Sequence, residues 1–245
     1  MTESVEGIVV SETNYSETSK IINVITKEGT IGLLSKGART IKSPLRSVST
    51  KFTYATWWIK KKKSGISTLI SADPIFSFNH ILTDITKISY ATYIMELVSQ
   101  VMNQTKEERV YDLLVLALKK LDSGFDPDII TNIVELQLLD FLGVKPYLNG
   151  CAVCGSPTDI VTISSYAGGY LCKNCYHDEP LVSTKTLQMI RMLSMVDLEK
   201  VTKIKVSAQV KKELNQFLED YYDRYTGLYL QSRKLLKNLR LLGRG

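Results

Sequence analysis

The sequence predicts an α+β multidomain protein, in which an N-terminal five-stranded β-barrel precedes an all-α helical domain carrying an inserted four-cysteine zinc ribbon. Two observations carry most of this. Short β-rich segments separated by turn signals fill the first 80 residues, and beyond Pro74 the apolar period changes from 2 to 3.6. All four cysteines fall in one window, as Cys151-Ala-Val-Cys154 and Cys172-Lys-Asn-Cys175. The implied organisation is a barrel over residues 1–80, a first helical part over 81–146, the zinc insertion over 147–182 and a second helical part over 183–245.

Strands are expected at residues 5–11, 21–25, 30–34, 52–59 and 66–72. The second and third flank Lys27-Glu28-Gly29, a hairpin whose glycine supplies the turn. Five short strands are too few for a sandwich and suit a small closed barrel such as an OB-fold.

The helical stripes follow in order. Ile85, Ile88, Thr92, Met95, Val98 and Met102 recur at three and four residue spacing. Val110, Leu113, Leu114, Ala117, Leu118 and Leu121 form a second stripe that stops at Ser123-Gly124. A third helix starts where Asp126 can cap, Pro127 suits the first helical position and Asp128 complements the positive dipole end. It carries Ile130, Ile133, Val134, Leu138 and Phe141 and ends at Gly143. After Ser183 a stripe of Leu187, Ile190 and Leu193 appears, and Ser207 caps a helix bearing Val210, Leu214, Phe217, Leu218 and Tyr221. A last helix follows Gly227 with Leu228, Leu235, Leu236, Leu239 and Leu242.

The spacing of Cys151, Cys154, Cys172 and Cys175 points to one structural Zn2+. Each C-x2-C turn aims two sulfurs at one point, and the intervening segment can fold as a hairpin of residues 160–164 returning through Gly168-Gly169-Tyr170. Four thiolates leave no open coordination position, so the metal is expected to contribute folding free energy, on the order of 10 kcal/mol. Two disulfides are the alternative, which a cytoplasmic compartment disfavours, and His177 could replace one thiolate. A ribbon lying between helices reads as an insertion, so residues 75–146 and 181–242 are expected to pack together.

No run of 18 apolar residues exists, and Met1-Thr-Glu-Ser-Val-Glu6 lacks the basic flank and apolar stretch of a signal peptide. A soluble cytoplasmic protein without a membrane partner is expected. The net charge of +6 divides unevenly: residues 1–80 hold 11 basic and 6 acidic residues, 81–180 hold 7 and 13, and 181–245 hold 13 and 6. This basic, acidic, basic layout places polyanion binding at the two ends. Catalysis is not expected, because no Walker loop, His-Glu-x-x-His or Gly-x-Ser-x-Gly motif occurs and His80 and His177 are the only histidines.

The candidate nucleic-acid contacts are Lys36, Arg39, Lys42, Arg46 and Lys51, with Gly37 and Ser43 among them, followed by the run Lys60 to Lys63. Small residues let backbone approach a phosphate, and long cations neutralise it. Phe52, Tyr54, Trp57 and Trp58 lie beside them as possible stacking surfaces, although half of a barrel strand's aromatics must point inward.

Taken together, Glu6-Gly-Ile-Val-Val10, Tyr15-Ser-Glu-Thr-Ser-Lys-Ile-Ile22, Thr26-Lys-Glu-Gly-Thr-Ile-Gly32, Lys36-Gly-Ala-Arg39, Tyr93-Ile-Met-Glu-Leu97, Phe141-Leu-Gly143, Gly227-Leu-Tyr-Leu230 and the cysteine quartet resemble the RecO family of bacterial recombination mediators. The resemblance implies an OB-fold, a helical domain and a zinc-binding insertion. It also implies binding of single- and double-stranded DNA, annealing of complementary strands and, with RecR, help for RecA in displacing single-strand-binding protein. Lys36, Arg39 and Lys42 match the family's basic stretch after the third strand. The implied location is the bacterial cytoplasm, in association with the nucleoid. Two other readings stay open: a zinc-ribbon regulator whose ribbon reads nucleic acid, and an adaptor whose main ligand is protein. Against the first, Lys173 is the only basic residue between Cys151 and Cys175.

Overall fold

A computed structural model of the chain describes residues 2–62 and 65–242; Lys63 of the lysine run and the side chain of Leu242 lie outside the described residues. Five strands, β1 (Thr2–Asn14), β2 (Lys20–Thr26), β3 (Gly29–Ser35), β4 (Tyr54–Lys60) and β5 (Ser67–Phe76), close into a barrel in the order β1-β2-β3-β5-β4. The long β1 makes closure possible, because its first half pairs with β4 (Thr2 to Ile8 against Lys60 to Tyr54) and its second half with β2. A register irregularity between Val9 and Ser11 bends the strand where it changes partner. The parallel contact of β3 with β5, Leu33 opposite Ser67 and Leu34 opposite Thr68, completes the ring.

The observed β1 extends three residues beyond the expected segment at each end, where polar side chains carry ladder pairs but no alternation of hydrophobicity. Between β3 and β4 lies the four-residue helix α1 (Leu45–Val48), and after β5 comes α2 (Asn79–Leu82). Neither is legible in the sequence, since one turn of helix is too short to show a 3.6-residue period.

The barrel has two apolar surfaces with different partners. Val9, Ile22, Val24, Leu33, Ala55, Trp57, Ile59 and Leu69 fill its interior, and the fully buried Trp57 donates its indole N–H to the Gly7 carbonyl at 2.9 Å. Ile8, Ile25, Phe52 and Tyr54 join the core of the helical part instead. Across this junction the Glu6 carboxylate accepts from the Tyr54 hydroxyl (2.5 Å) and from that of Tyr111 (3.3 Å).

The helices are α3 (Ile85–Thr105), α4 (Glu108–Asp122), α5 (Pro127–Phe141), α6 (Thr184–Met195), α7 (Ala208–Tyr225) and α8 (Ser232–Leu242). Their starts are set chemically. Asp126 accepts from the amides of Asp128 and Ile129 ahead of α5, with Pro127 at its first position, and Ser183 and Ser207 cap α6 and α7. α5 is buried on nearly every side and touches α3, α4, α6 and α7, so segments on both sides of the cysteine window form one bundle. A two-stranded hairpin, β6 (Ile160–Ser164) and β7 (Gly169–Cys172), occupies that window.

The last helix attaches differently from the apolar stripe expected of it. Leu236 is buried, but Leu235 is half exposed. α8 is held by charge: Arg233 pairs with Asp223, Lys237 with Glu219 at 2.6 Å and Arg240 with Asp128 at 2.8 Å. Glu96 of α3 caps it by accepting from the amides of Gln231 and Ser232. Beneath lies the buried Glu135, whose carboxylate accepts from the Tyr93 hydroxyl at 2.5 Å while its backbone carbonyl accepts from Tyr222 at 2.8 Å.

This tyrosine-rich interior makes alkaline stability a test of the fold. Burial, reinforced by the Glu135 carboxylate, pushes the phenols of Tyr93 and Tyr222 well above the ordinary value of 10. In an unfolded chain both rings would ionise above pH 10 while the folded ones stay neutral, so the unfolded state binds fewer protons and stability falls as pH rises. Each ring costs up to about 1.4 kcal/mol per pH unit. The expected result is a loss of about 2.4 kcal/mol between pH 10.5 and 11.5 from these two groups, read as a shift of the urea midpoint. A midpoint constant from pH 9 to 11.5 would contradict the burial of these rings.

Candidate metal centre and nucleic-acid interface

The four cysteines converge: their sulfurs all lie within 4.8 Å of one another, with Cys154 and Cys172 at 3.7 Å. Metal–sulfur bonds of about 2.3 Å in a tetrahedron require edges of about 3.8 Å, so this spacing fits a single ion. No two of the sulfurs are bonded as a disulfide. His177 is exposed and outside the cluster, its amide donating to the Glu179 carboxylate at 3.2 Å, so it replaces none of the thiols.

Two backbone turns aim the thiols. In the first, Gly155 N–H donates to the Cys151 carbonyl at 2.8 Å and Cys151 N–H to that of Ser156 at 2.7 Å; in the second, the amides of Cys175 and Tyr176 both donate to the Cys172 carbonyl. Burial raises the Cys151 thiol, but hydrogen bonds from the amides of Cys154, Cys172 and Val153 outweigh it and bring it down to about 6. Its neighbour Cys175, hydrogen-bonded to Cys154 and packed against the other sulfurs, is pushed up to about 12. Four thiols at one point thus resist collective ionisation until a cation compensates the charge, which is the chemistry of a closed four-thiolate metal site. The donor set fits a structural metal and offers no place for a substrate.

The module is knitted to the bundle by polar and apolar contacts. Leu148, Ile163 and Tyr170 belong to the main core, and the Tyr170 hydroxyl donates to the Leu187 carbonyl on α6. Tyr147 bridges Gly169 in parallel, its amide donating to the Gly168 carbonyl at 2.9 Å and its carbonyl accepting from the Tyr170 amide at 3.1 Å. A Cβ on Gly169 would lie 2.3 Å from the Tyr147 carbonyl oxygen, so only glycine permits this approach. Gly169→Ala is expected to cost roughly 1–3 kcal/mol, measured as a lowered urea midpoint. An unchanged midpoint would mean that the Tyr147 pairing contributes nothing to stability.

The basic loop between β3 and α1 is built onto the β1–β2 turn. Gly37 sits at φ +71°, the buried Ala38 anchors the loop, and the Arg39 amide donates to the Thr18 carbonyl at 2.9 Å. The Arg39 guanidinium also reaches the Ser16 carbonyl. Successive short turns, Thr40 to Gly37, Ser43 to Thr40 and Arg46 to Ser43, carry the chain into α1. Arg39 and Arg46 line one open cleft of about 620 Å3 with Lys20, Ser43, Ser47 and Thr50, while Lys36 and Lys42 are exposed on the same loop. Among the described residues none of Lys36, Arg39, Lys42 and Arg46 has a carboxylate within 4.0 Å, and no acidic residue occurs in the sequence between Glu28 and Asp73. Lys20, which carries no distinguishing signal in the sequence, is paired with Glu12.

Lys51 departs from the expected cluster. It is half-buried at the junction with the bundle, donates to the Thr92 hydroxyl at 2.9 Å and sits over the Phe52 ring. Burial lowers its ammonium pKa, an effect that Glu96 opposes. Its short path back into β4 turns it toward α3, away from the other cations. Of the lysine run, Lys61 pairs with Glu3 at 3.0 Å.

Three of the four aromatics considered for stacking are unavailable. Phe52, Tyr54 and Trp57 are buried as core, and only Trp58 is surface-exposed, its indole N–H donating to Asp73 at 2.6 Å. Alternation along β4 turns Trp57 inward and Trp58 outward, Tyr54 shares the outer face with Trp58 but is covered by the helical part, and Phe52, at φ +71°, precedes the strand and turns into the same bundle core.

The family described as Recombination protein O N terminal matches residues 1–78, and that described as Recombination protein O C terminal matches residues 82–234. The chain is 35% identical over 239 residues to the DNA repair protein RecO of Bacillus pumilus, covering 96% of this chain and 93% of the relative. The corresponding protein of Listeria innocua is 34% identical over 248 residues, covering 97% and 94%. That of Bacillus subtilis is 33% identical over 239 residues, with 96% and 93% covered.

Proposed function

Since the chain belongs to the RecO family of DNA repair proteins, we propose that it is a recombination mediator that anneals complementary strands and, with RecR, helps RecA load on DNA coated by single-strand-binding protein. In this reading the closed barrel is an OB-fold, as its order β1-β2-β3-β5-β4 suggests. Lys36, Arg39, Lys42 and Arg46 hold the phosphate backbone. Lys51 acts by position, tying the end of their loop to α3. The ion of the four-cysteine site is zinc, held for structure. The protein works in the bacterial cytoplasm at the nucleoid; no helix among the described residues is long and apolar enough to cross a membrane.

The observation that carries the proposal is the loop itself: four cations without acidic partners among the described residues, on a hydrogen-bonded turn, beside a cleft lined by hydroxyls. The mechanism is physical. Cations neutralise two backbones brought together, their mutual repulsion falls, and bases pair without any covalent step. The ribbon braces the bundle and does not read nucleic acid, in keeping with its attachment through Tyr170 and Gly169 and its single lysine.

The test is annealing of two complementary oligonucleotides, one coated with single-strand-binding protein. Acceleration by the purified chain without nucleotide supports the mediator. A chain that binds neither DNA nor the coating protein favours the adaptor reading.

A further inference from the structure

With the β4 aromatics buried or turned away, the aromatic ring fixed to the basic loop is Tyr15. This residue is 63% exposed and opens the β1–β2 turn. That turn is closed by the Tyr15 amide donating to the Ser19 carbonyl at 3.0 Å and by the Ser19 amide donating to the Ser16 hydroxyl at 3.2 Å. It is joined to the basic loop three times: Arg39 amide to Thr18 carbonyl, Arg39 guanidinium to Ser16 carbonyl and Gly37 amide to Ser19 hydroxyl at 3.4 Å. Tyr15 and Arg39 are therefore parts of one hydrogen-bonded unit.

Isolated surface tyrosines are ordinary and need no explanation. Tyr166, also exposed, is covered by the Arg224 guanidinium at 5.1 Å. Tyr229, 79% exposed, is as open as Tyr15, so what sets Tyr15 apart is the attachment of its turn. Among the described residues its ring stacks on no aromatic, lies under no cation and shares no hydrogen bond through its hydroxyl. Its turn carries the backbone that orients Arg39, and across the loop Ile41 is 83% exposed. An exposed ring on the turn that anchors Arg39, and the exposed Ile41 of the loop itself, thus belong to the same hydrogen-bonded unit as cations that have no carboxylate partner among the described residues. A single strand offers phosphates at one edge and flat bases at the other, which suits cations and an exposed ring carried on one unit.

We propose that Tyr15 is the platform on which an unpaired base of single-stranded DNA stacks while Arg39 and its neighbours hold the adjoining phosphates, which makes the barrel loop prefer single strands over duplex. The inference rests on the reading that this loop binds nucleic acid. In a duplex the base faces are already stacked, so only the phosphate contacts remain available there.

The experiment compares wild type, Tyr15→Ala and Tyr15→Trp for binding of oligo(dT), an abasic oligomer of equal length and a duplex, each over a series of salt concentrations. Tyr15→Ala should weaken oligo(dT) binding about 5- to 100-fold. It should leave the abasic oligomer, the duplex and the salt slope unchanged, because no phosphate contact is removed. Tyr15→Trp should retain affinity and show more fluorescence quenching by oligo(dT) than wild type, whose two tryptophans lie on β4. Oligo(dT) binding by Tyr15→Ala within twofold of wild type overturns the platform while leaving the electrostatic site intact. If wild type shows no salt-sensitive binding to any of the three, the parent reading falls and this one with it.

Discussion

Cys151→Ser is expected to release the metal and to leave a protein whose helical part does not stay folded at growth temperature. Cys151 is buried with Leu171 and Cys172 in a small core of its own, so the serine would put a weakly coordinating hydroxyl in place of a thiolate at the buried side of the site. A four-cysteine module of this size buries too little apolar surface to fold alone, and a metal held by the four thiolates would supply on the order of 10 kcal/mol of its stability. A typical domain has a net stability of only about 5–15 kcal/mol. The loss does not stay local, because Leu148, Ile163 and Tyr170 of the module are part of the core shared with α6 and α7. Metal content by mass spectrometry should fall, and thermal unfolding should move down by many degrees or lose cooperativity. A metal-free variant that unfolds like wild type would show that the ion is dispensable. A variant of unchanged stability that loses DNA binding alone would instead revive the ribbon as the reader of nucleic acid.

Legibility in the sequence tracks how local each signal is. Asp126-Pro127-Asp128, Ser183 and Ser207 announce their helices because capping is a matter of a few adjacent atoms, and the structure has these side chains accepting from the first-turn amides. The cysteine spacing predicts convergence for the same reason, since each Cys-x-x-Cys turn is self-contained. Contacts between distant segments give no such signal. Nothing in the sequence around Lys51 says that its ammonium meets Thr92 on α3, so it reads as one more cation in a basic run. The β4 aromatics look like a binding face because composition cannot say which way a strand points; the pairing of Val5 with Trp57 and Ser4 with Trp58 decides it. α8 reads as an apolar stripe, yet Arg233, Lys237 and Arg240 hold it to carboxylates on α5 and α7. Tyr15 stands inside a recognisable motif, but its place beside Arg39 is created by hydrogen bonds between two loops.

Reversing Lys36 and Arg39 together to glutamate is expected to weaken single-strand binding by two to three orders of magnitude at 0.1 M salt and to abolish annealing. Neither side chain has a carboxylate partner among the described residues, so their whole charge is available to phosphates. Each single-strand phosphate contact contributes about 0.7 to the slope of log affinity against log salt. At 0.1 M that amounts to roughly 0.7 log units per contact, or about 25-fold for the loss of two. Replacing neutrality by negative charge adds repulsion of similar size, which brings the total to roughly 10²- to 10³-fold. The slope itself should fall by about 1.4, a readout that a lost stacking contact would not reproduce. Lys51→Met supplies the contrast. Because that ammonium is engaged by Thr92 at the barrel–bundle junction, the slope should hold while stability changes. If Lys51→Met reduces the slope as much as either loop cation does, Lys51 contacts phosphate after all, and the junction contact must open when the strand binds.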